Sequence, residues 1–438
     1  MRAGPTHGIT RREATRLLAG TFAGLSVPQF ASQPLFAEPH PTQLNEADAA
    51  FLDEMVRQAC LYFYEQADPA TGQVLDRANN RTTNGQMDSR FASSIAATGF
   101  GLTALCIADS RRYFPTDKIR RRVLATLQFH LRPMPTEHGF YYHFNDVKTG
   151  LPLLNIEVSP IDTAILLCGV LTCRAYFKDA KITDLATQIY NRVDWPWMLN
   201  NSKTFALGWL PATGFLSQHW DHYAEMMMLY LLAIGSPTHP IDPSYWNNFS
   251  RPRVRFDKFN FISGHDPLFI HLYSHAWFDF YRKRDAYTDY FANSVLAVRA
   301  HKAFCLGLNR GYSEDYWGIT ASDWIHGYTA WGGPPLMGPI DGSVVPCATA
   351  GSLPFLAKDC LRVLRSLKAK YGEYAWGRYG PCDALHPSLS WYDADVLGID
   401  LGISLLMAEN LRTSFVWKTF MQNAETTKAM KLAGFRSY

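Results

Sequence analysis

The chain has 438 residues, of which 47% are hydrophobic, 14% aromatic and only 18% charged, with a net charge of +3. Such a length allows two or three domains or one large unit with a substantial core. A charge so small, with no Lys/Arg stripe, excludes a nucleic-acid reader. The N-terminus comes first in chain order. In "ITRREATRLLAGTFAGLSV" the pair Arg11-Arg12 precedes an apolar stretch too short to span a membrane. Residues 1–37 are expected to be a Tat-type signal peptide, with cleavage between Ala31 and Ala37. The mature protein is then periplasmic or secreted. Residues 38–46 read as a polar linker, and 47–430 as one catalytic domain with no later membrane span. The eight Cys form no CxxC pair and no zinc-spaced cluster. Several sit in apolar helical runs, and they are expected to be mostly free and buried.

Apolar spacing predicts helices over 47–67, 89–108, 116–131, 159–177, 180–191, 221–234, 266–283, 286–305, 343–351, 354–369, 400–412 and 413–422. "GFYYHFND" and "GWLPATGFL" read as loops or small hairpins. Six of the helices are apolar nearly throughout. They follow the polar tips Asp88-Ser89, Glu157-Val158-Ser159, Asp221, His265-Asp266, Asp341-Gly342-Ser343 and Asp400. The others are amphipathic and charged. This alternation predicts an all-α (α/α)6 barrel with short loop hairpins at one end. Alternate helices run the same way, so six polar tips should meet on one face.

Ser159-Pro160-Ile161-Asp162 reads as a helix start. Ser159 suits the N-cap, Pro160 the first turn, and Asp162 the return arm of a capping box. Glu157 has no such local task. Glu225, after Asp221 at an expected N-cap, falls one turn into a Met- and Leu-rich run. A carboxylate there is costly unless hydrogen-bonded or used, and burial would raise its pKa. Two carboxylates facing a cleft are the minimum for cleaving a glycosidic bond, although buried ion pairs place acids in the same way.

The ordered motifs "SSIAATGFGLTAL", "GFYYHFNDVKTG", "EVSPIDTAILLCGVL", "VDWPWML", "WDHYAEMMMLYLLAIGSPTHP", "LFIHLYSHAWFDF", "YWGITASD" and "GIDLGISLLMAENLRTSFVW" resemble the glucoamylase-like domain family. That family includes bacterial endo-β-1,2-glucanases and the transglycosylase domain of cyclic β-1,2-glucan synthases. The resemblance covers nearly all of the chain after the signal. It implies an (α/α)6 barrel and hydrolysis of β-1,2-glucan, with Glu157 and Glu225 as the catalytic carboxylates. In retaining relatives the first is acid/base and the second nucleophile; the hydrolases are expected to invert. One segment departs from the family: relatives usually read GIDQGP, and here Leu401 and Ile403 replace Gln and Pro.

The expected substrate-binding residues are Asp162, Asp88, Trp220, His275, Trp317, Asp323, Trp331 and Asp400. Acids among them would hold sugar hydroxyls and Trp faces would stack on sugar rings. Asp341, Asp383 and Glu409 are further cleft candidates. Trp195, Trp209 and Trp277 divide between sugar platforms and core. His271 and His275 are spaced for one helical face but lack a third ligand, so no metal and no cofactor is expected. The expected partner is an oligo- or polysaccharide glucan, and the protein is expected to be a monomer. The expectation is thus an exported β-1,2-glucan hydrolase. The alternatives are a retaining β-1,2-glucan transglycosylase and a non-catalytic periplasmic glycan-binding protein.

Overall fold

Local capping sets where the helices begin. In the computed structural model, which describes residues 44–438, α1 (Glu46–Glu65) starts at Asn45, whose side chain accepts from the Asp48 amide. The predicted signal and most of the predicted linker lie outside the described residues. Ser94, Asp179 and Asp289 cap α2 (Ile95–Ser110), α5 (Ala180–Asn191) and α8 (Tyr290–Gly307) in the same way. Between them lie α3 (Thr116–Leu131) and α4 (Pro160–Phe177), followed by α6 (Trp195–Leu199) and α7 (Met227–Gly235). The chain closes with α9 (Pro346–Ala350), α10 (Ala357–Tyr371), α11 (Gly398–Thr413), α12 (Phe415–Phe420) and α13 (Ala424–Leu432).

The two expected kinds of helix are present. In α2, α4, α7 and α11 nearly every side chain is buried, whereas α3, α5 and α10 bury one stripe. The buried helices pack on one another: α2 against α4 and α11, α4 against α7, and α9 against α11. The half-exposed ones lie outside them, with α1 on α2 and α11, α5 on α4, and α10 on α9. Two glycines allow the α2–α4 contact. A Cβ on Gly169 would lie 2.1 Å from the Gly99 carbonyl oxygen, and one on Gly99 would lie 2.4 Å from that of Ile165. α4 also has the length and hydropathy of a membrane span, but its place between α2, α5 and α7 makes it a core helix.

Several expected helices are corrected. The 266–283 segment forms two short 3-10 turns, Leu268–His271 and Tyr273–Ala276. The helix expected from 221 begins at Met227, and Asp221 is not its N-cap. The helix expected from 89 begins at Ile95, after a short strand at Ala92–Ser94. Asp400 lies inside the first turn of α11 rather than ahead of it. α6 and α13 were not expected. All eight Cys are free and buried, as read from their apolar surroundings.

Short antiparallel strand pairs stitch the loops between helices. Ala92–Ser94 pairs with Phe144–Asp146, and Arg77–Asn79 with Asp395–Leu397. Trp209–Leu210 pairs with Gly214–Phe215, the hairpin expected in "GWLPATGFL".

Candidate active site

Glu157 stands three residues before α4, in an irregular segment. Its neighbour Val158 bridges to Tyr142 on one side and to Trp209 on the other. This three-stranded contact fixes the backbone where it enters the helix. The Glu157 side chain is buried, and Oε1 lies 3.2 Å from Nδ1 of His143. The other ring nitrogen, Nε2, lies 3.6 Å from Oδ1 of Asp162, an ion contact beyond hydrogen-bond length. His143 therefore stands between the two acids of the α4 entry. Its backbone is tied as well, since its amide donates to the Glu157 carbonyl at 3.0 Å.

Asp162 has a structural task, but not the expected one. The Asp162 amide donates to Ser159 Oγ at 3.1 Å, so Ser159 is the N-cap. The Ser159 hydroxyl in turn donates to Asp162 Oδ2. The Ser159 amide goes to the Tyr141 carbonyl instead, so Asp162 does not close a capping box.

Glu225 is also buried, and it too precedes a helix rather than sitting within one. Its carbonyl accepts from Ser274 Oγ at 2.6 Å, while the same Oγ accepts from the Met228 amide at 3.0 Å. Ser274 thus closes the N-terminal end of α7. Between the two acids in the chain, Val158 pairs with Trp209, the hairpin turns back, and the Trp220 amide donates to the Phe205 carbonyl. Asp221 pairs with His222 at 2.8 Å, which lowers its pKa and raises that of His222.

A second group of acids gathers between the entries to α9 and α11. Asp383 Oδ2 accepts from the Asp323 amide at 2.8 Å. Asp323, Asp393 and Asp395 bring carboxylate oxygens within 4.8 Å of one another, a spacing that could hold a cation. Arg77 pairs with Asp323, and Arg90 with both Asp395 and Asp88. Burial, aided by its acidic neighbours, pushes Asp323 upward against the pull of Arg77. Burial, then Asp400 and Asp323, push Asp383 well above the carboxylate range, and Asp393 is raised to about 7. Asp400 is buried in a small cleft shared with Asp383 and Leu401, with Tyr273 OH donating to its Oδ1 at 3.3 Å. This places Leu401, one of the two departures in the "GIDLGI" segment, beside the acids.

The remaining candidates are placed as follows. Asp88 accepts from the amides of Asn79 and Arg90 and braces its own loop. Trp331 donates to Ser322 Oγ at 3.0 Å beside Asp323, and Trp317 is fully buried. Trp220 is buried at the core edge, Trp209 is half-buried in its hairpin, and Trp195 and Trp277 are core. His275 is packed edge-on by Phe280, Phe291 and Phe355, and its Nε2 contacts Ser294. His271 and His275 sit in consecutive 3-10 turns, and burial lowers each to about 3. Glu409 lies near the far end of α11, paired with Arg111 and Arg412. Asp341 accepts from the Ser343 amide. Sequence reading missed His143, Arg77 and Ser274 as parts of the site. His143 alone carried a signal, within "GFYYHFND".

Residues 217–424 match the family described as Glycoamylase, "Putative glucoamylase". Over that segment the chain resembles the family. An exo β-1,2-glucooligosaccharide sophorohydrolase (non-reducing end) of Parabacteroides distasonis is 25% identical over 445 residues. That match covers 91% of this chain, and the chain spans 59% of that relative's length. A "putative glucoamylase" of Bacteroides uniformis superposes with a TM-score of 0.82 at 25% identity, covering 90% of this chain and 99% of the other. An endo-β-1,2-glucanase of Chitinophaga pinensis, solved with sophorotriose and glucose, gives a TM-score of 0.80 at 24% identity, covering 89% and 99%. The glycoamylase-like architecture is mainly helical, as expected. Distant homology thus ties the chain to hydrolases that act on β-1,2-glucan.

Proposed function

We propose that this chain is an exported glycoside hydrolase that cleaves β-1,2-glucan, built on an (α/α)6 barrel, with Glu157 and Glu225 as its carboxylate pair. One observation carries the assignment. Both acids are buried, and each stands just ahead of the first turn of one of two buried helices, α4 and α7, that pack together. The positive ends of helices favour carboxylates in such places. In the inverting route one carboxyl group protonates the leaving oxygen while the other activates water on the opposite face. That geometry needs the two groups about 6.5–9.5 Å apart. Asp323, Asp400 and the Trp331 side would serve a sugar chain as acceptors and walls.

The test uses the whole protein and linear β-1,2-glucan, with product size and anomer followed by NMR. Shorter chains with inverted anomers are expected. Glu157→Gln and Glu225→Gln are each expected to lower kcat by about 10²–10⁴-fold. Wild-type protein that releases no reducing ends would sink hydrolysis. Products longer than the substrate, with the anomer retained, would assign transglycosylation instead.

A further inference from the structure

We infer that His143 is a positioning residue for Glu157, held in register by Asp162; the inference rests on the glycosidase reading above. A carboxylate in an irregular segment can rotate unless something fixes it. Here Nδ1 of His143 meets one oxygen, Oε1, at 3.2 Å, and so sets how the carboxylate is turned. The imidazole itself is held in place. Phe144 stacks on it, with ring centroids 3.9 Å apart and planes 19° apart. The His143 amide donates to the Glu157 carbonyl and its carbonyl accepts from the Ile95 amide, which ties it to the start of α2 as well.

Asp162 fixes which way the ring faces. With Oδ1 3.6 Å from Nε2, a flipped ring would place carbon atoms opposite both acids. The ring thus meets a carboxylate oxygen at each nitrogen, Glu157 at Nδ1 and Asp162 at Nε2. Asp162 is itself pinned by the Ser159 hydroxyl on its other oxygen. A relay of contacts therefore runs Ser159, Asp162, His143, Glu157. It joins the cap of α4 to the carboxylate at its mouth. Outer partners of this kind orient the group that does the chemistry without touching the substrate.

Two measurements test the inference. The first is kinetic, on β-1,2-glucan. His143→Ala is expected to lower kcat by about 10–100-fold while KM changes little, the range typical of orienting partners. His143→Asn, whose amide NH2 can take the place of Nδ1, is expected to recover most of that loss. Ala and Asn variants equally impaired, with the same fall in Tm, would reduce His143 to a structural residue, and an unchanged kcat in His143→Ala would overturn the inference. The second measurement needs no turnover. The ¹⁵N imidazole resonances of His143 in full-length protein are expected to shift in Glu157→Gln and in Asp162→Asn. Unshifted resonances would show that the acids do not hold the ring, whether or not the wild type hydrolyses glucan. Inactive wild type with shifted resonances would overturn the glycosidase reading and leave the contact standing.

Discussion

Ser159 makes two opposed hydrogen bonds at one oxygen, accepting from the Asp162 amide and donating to the Asp162 carboxylate. Ser159→Ala removes both. An N-cap loss costs about 1 kcal/mol, and a buried carboxylate left short of a donor raises that further, to about 2–3 kcal/mol. A denaturant midpoint lowered at constant m-value would register it; an unchanged midpoint would mean that another group caps α4. At this scale the sequence was informative where partners are close in the chain. Ser159, Pro160 and Asp162 announce a helix start because capping is local. Glu157 stands out for having no local task, and its partner lies 14 residues upstream, between two short strands. The His of "GFYYHFND" is the one signal of that partner, and by composition alone it reads equally as a packed core residue. Arg77 and Asp323 meet across 246 residues, a pairing that no spacing rule can anticipate.

α4 packs most closely on α2, and its glycine is the reason. Gly169→Ala would push a methyl group into the Gly99 carbonyl, with backbone on the facing side and no flexible chain end to yield. Overpacking of this kind costs about 1–3 kcal/mol or more, and Tm is expected to fall by several degrees in thermal melts. An unchanged Tm would show that the two helices can separate freely. The helices that were predicted well share a physical cause. α3 and α5 match their expected bounds because each has a polar face, so the 3.6-residue period is visible. The segment 266–283 has no such period. It is buried nearly throughout from Asp266 to Phe278 and reads as helix by composition alone, yet it folds as two 3-10 turns. The same loss of contrast moved the start of α7 by several residues and placed Glu225 within a helix that begins after it.

Over the whole molecule, buried acids set how stability depends on pH. Asp266 shows the sign. It borders a cavity shared with His265, His271 and His301, and the loop at Gly333 and Pro334 closes the other side. His271 and His301 are held to about 3 by burial, and burial lowers His265 as well, so these three histidines bring no positive charge to the cavity at neutral pH. Burial raises Asp266 to about 7, against backbone donors from Leu336, Gly338 and Gly333. The folded chain therefore keeps a proton that the unfolded chain gives up near its ordinary value of 3.8. Between those values the unfolded state binds fewer protons, so stability falls as pH rises. The contribution is whole below about pH 4 and gone above about pH 7. Asp393, also raised to about 7, acts in the same direction. Asp266→Asn keeps an oxygen for the loop amides but cannot ionise. Its stability relative to wild type should therefore be lowest at pH 4 and rise by a few kcal/mol, in order of magnitude, by pH 8. Paired Tm measurements across that range decide it. A difference between the two proteins that stays flat with pH would mean that Asp266 is already ionised throughout, and that the loop amides outweigh burial.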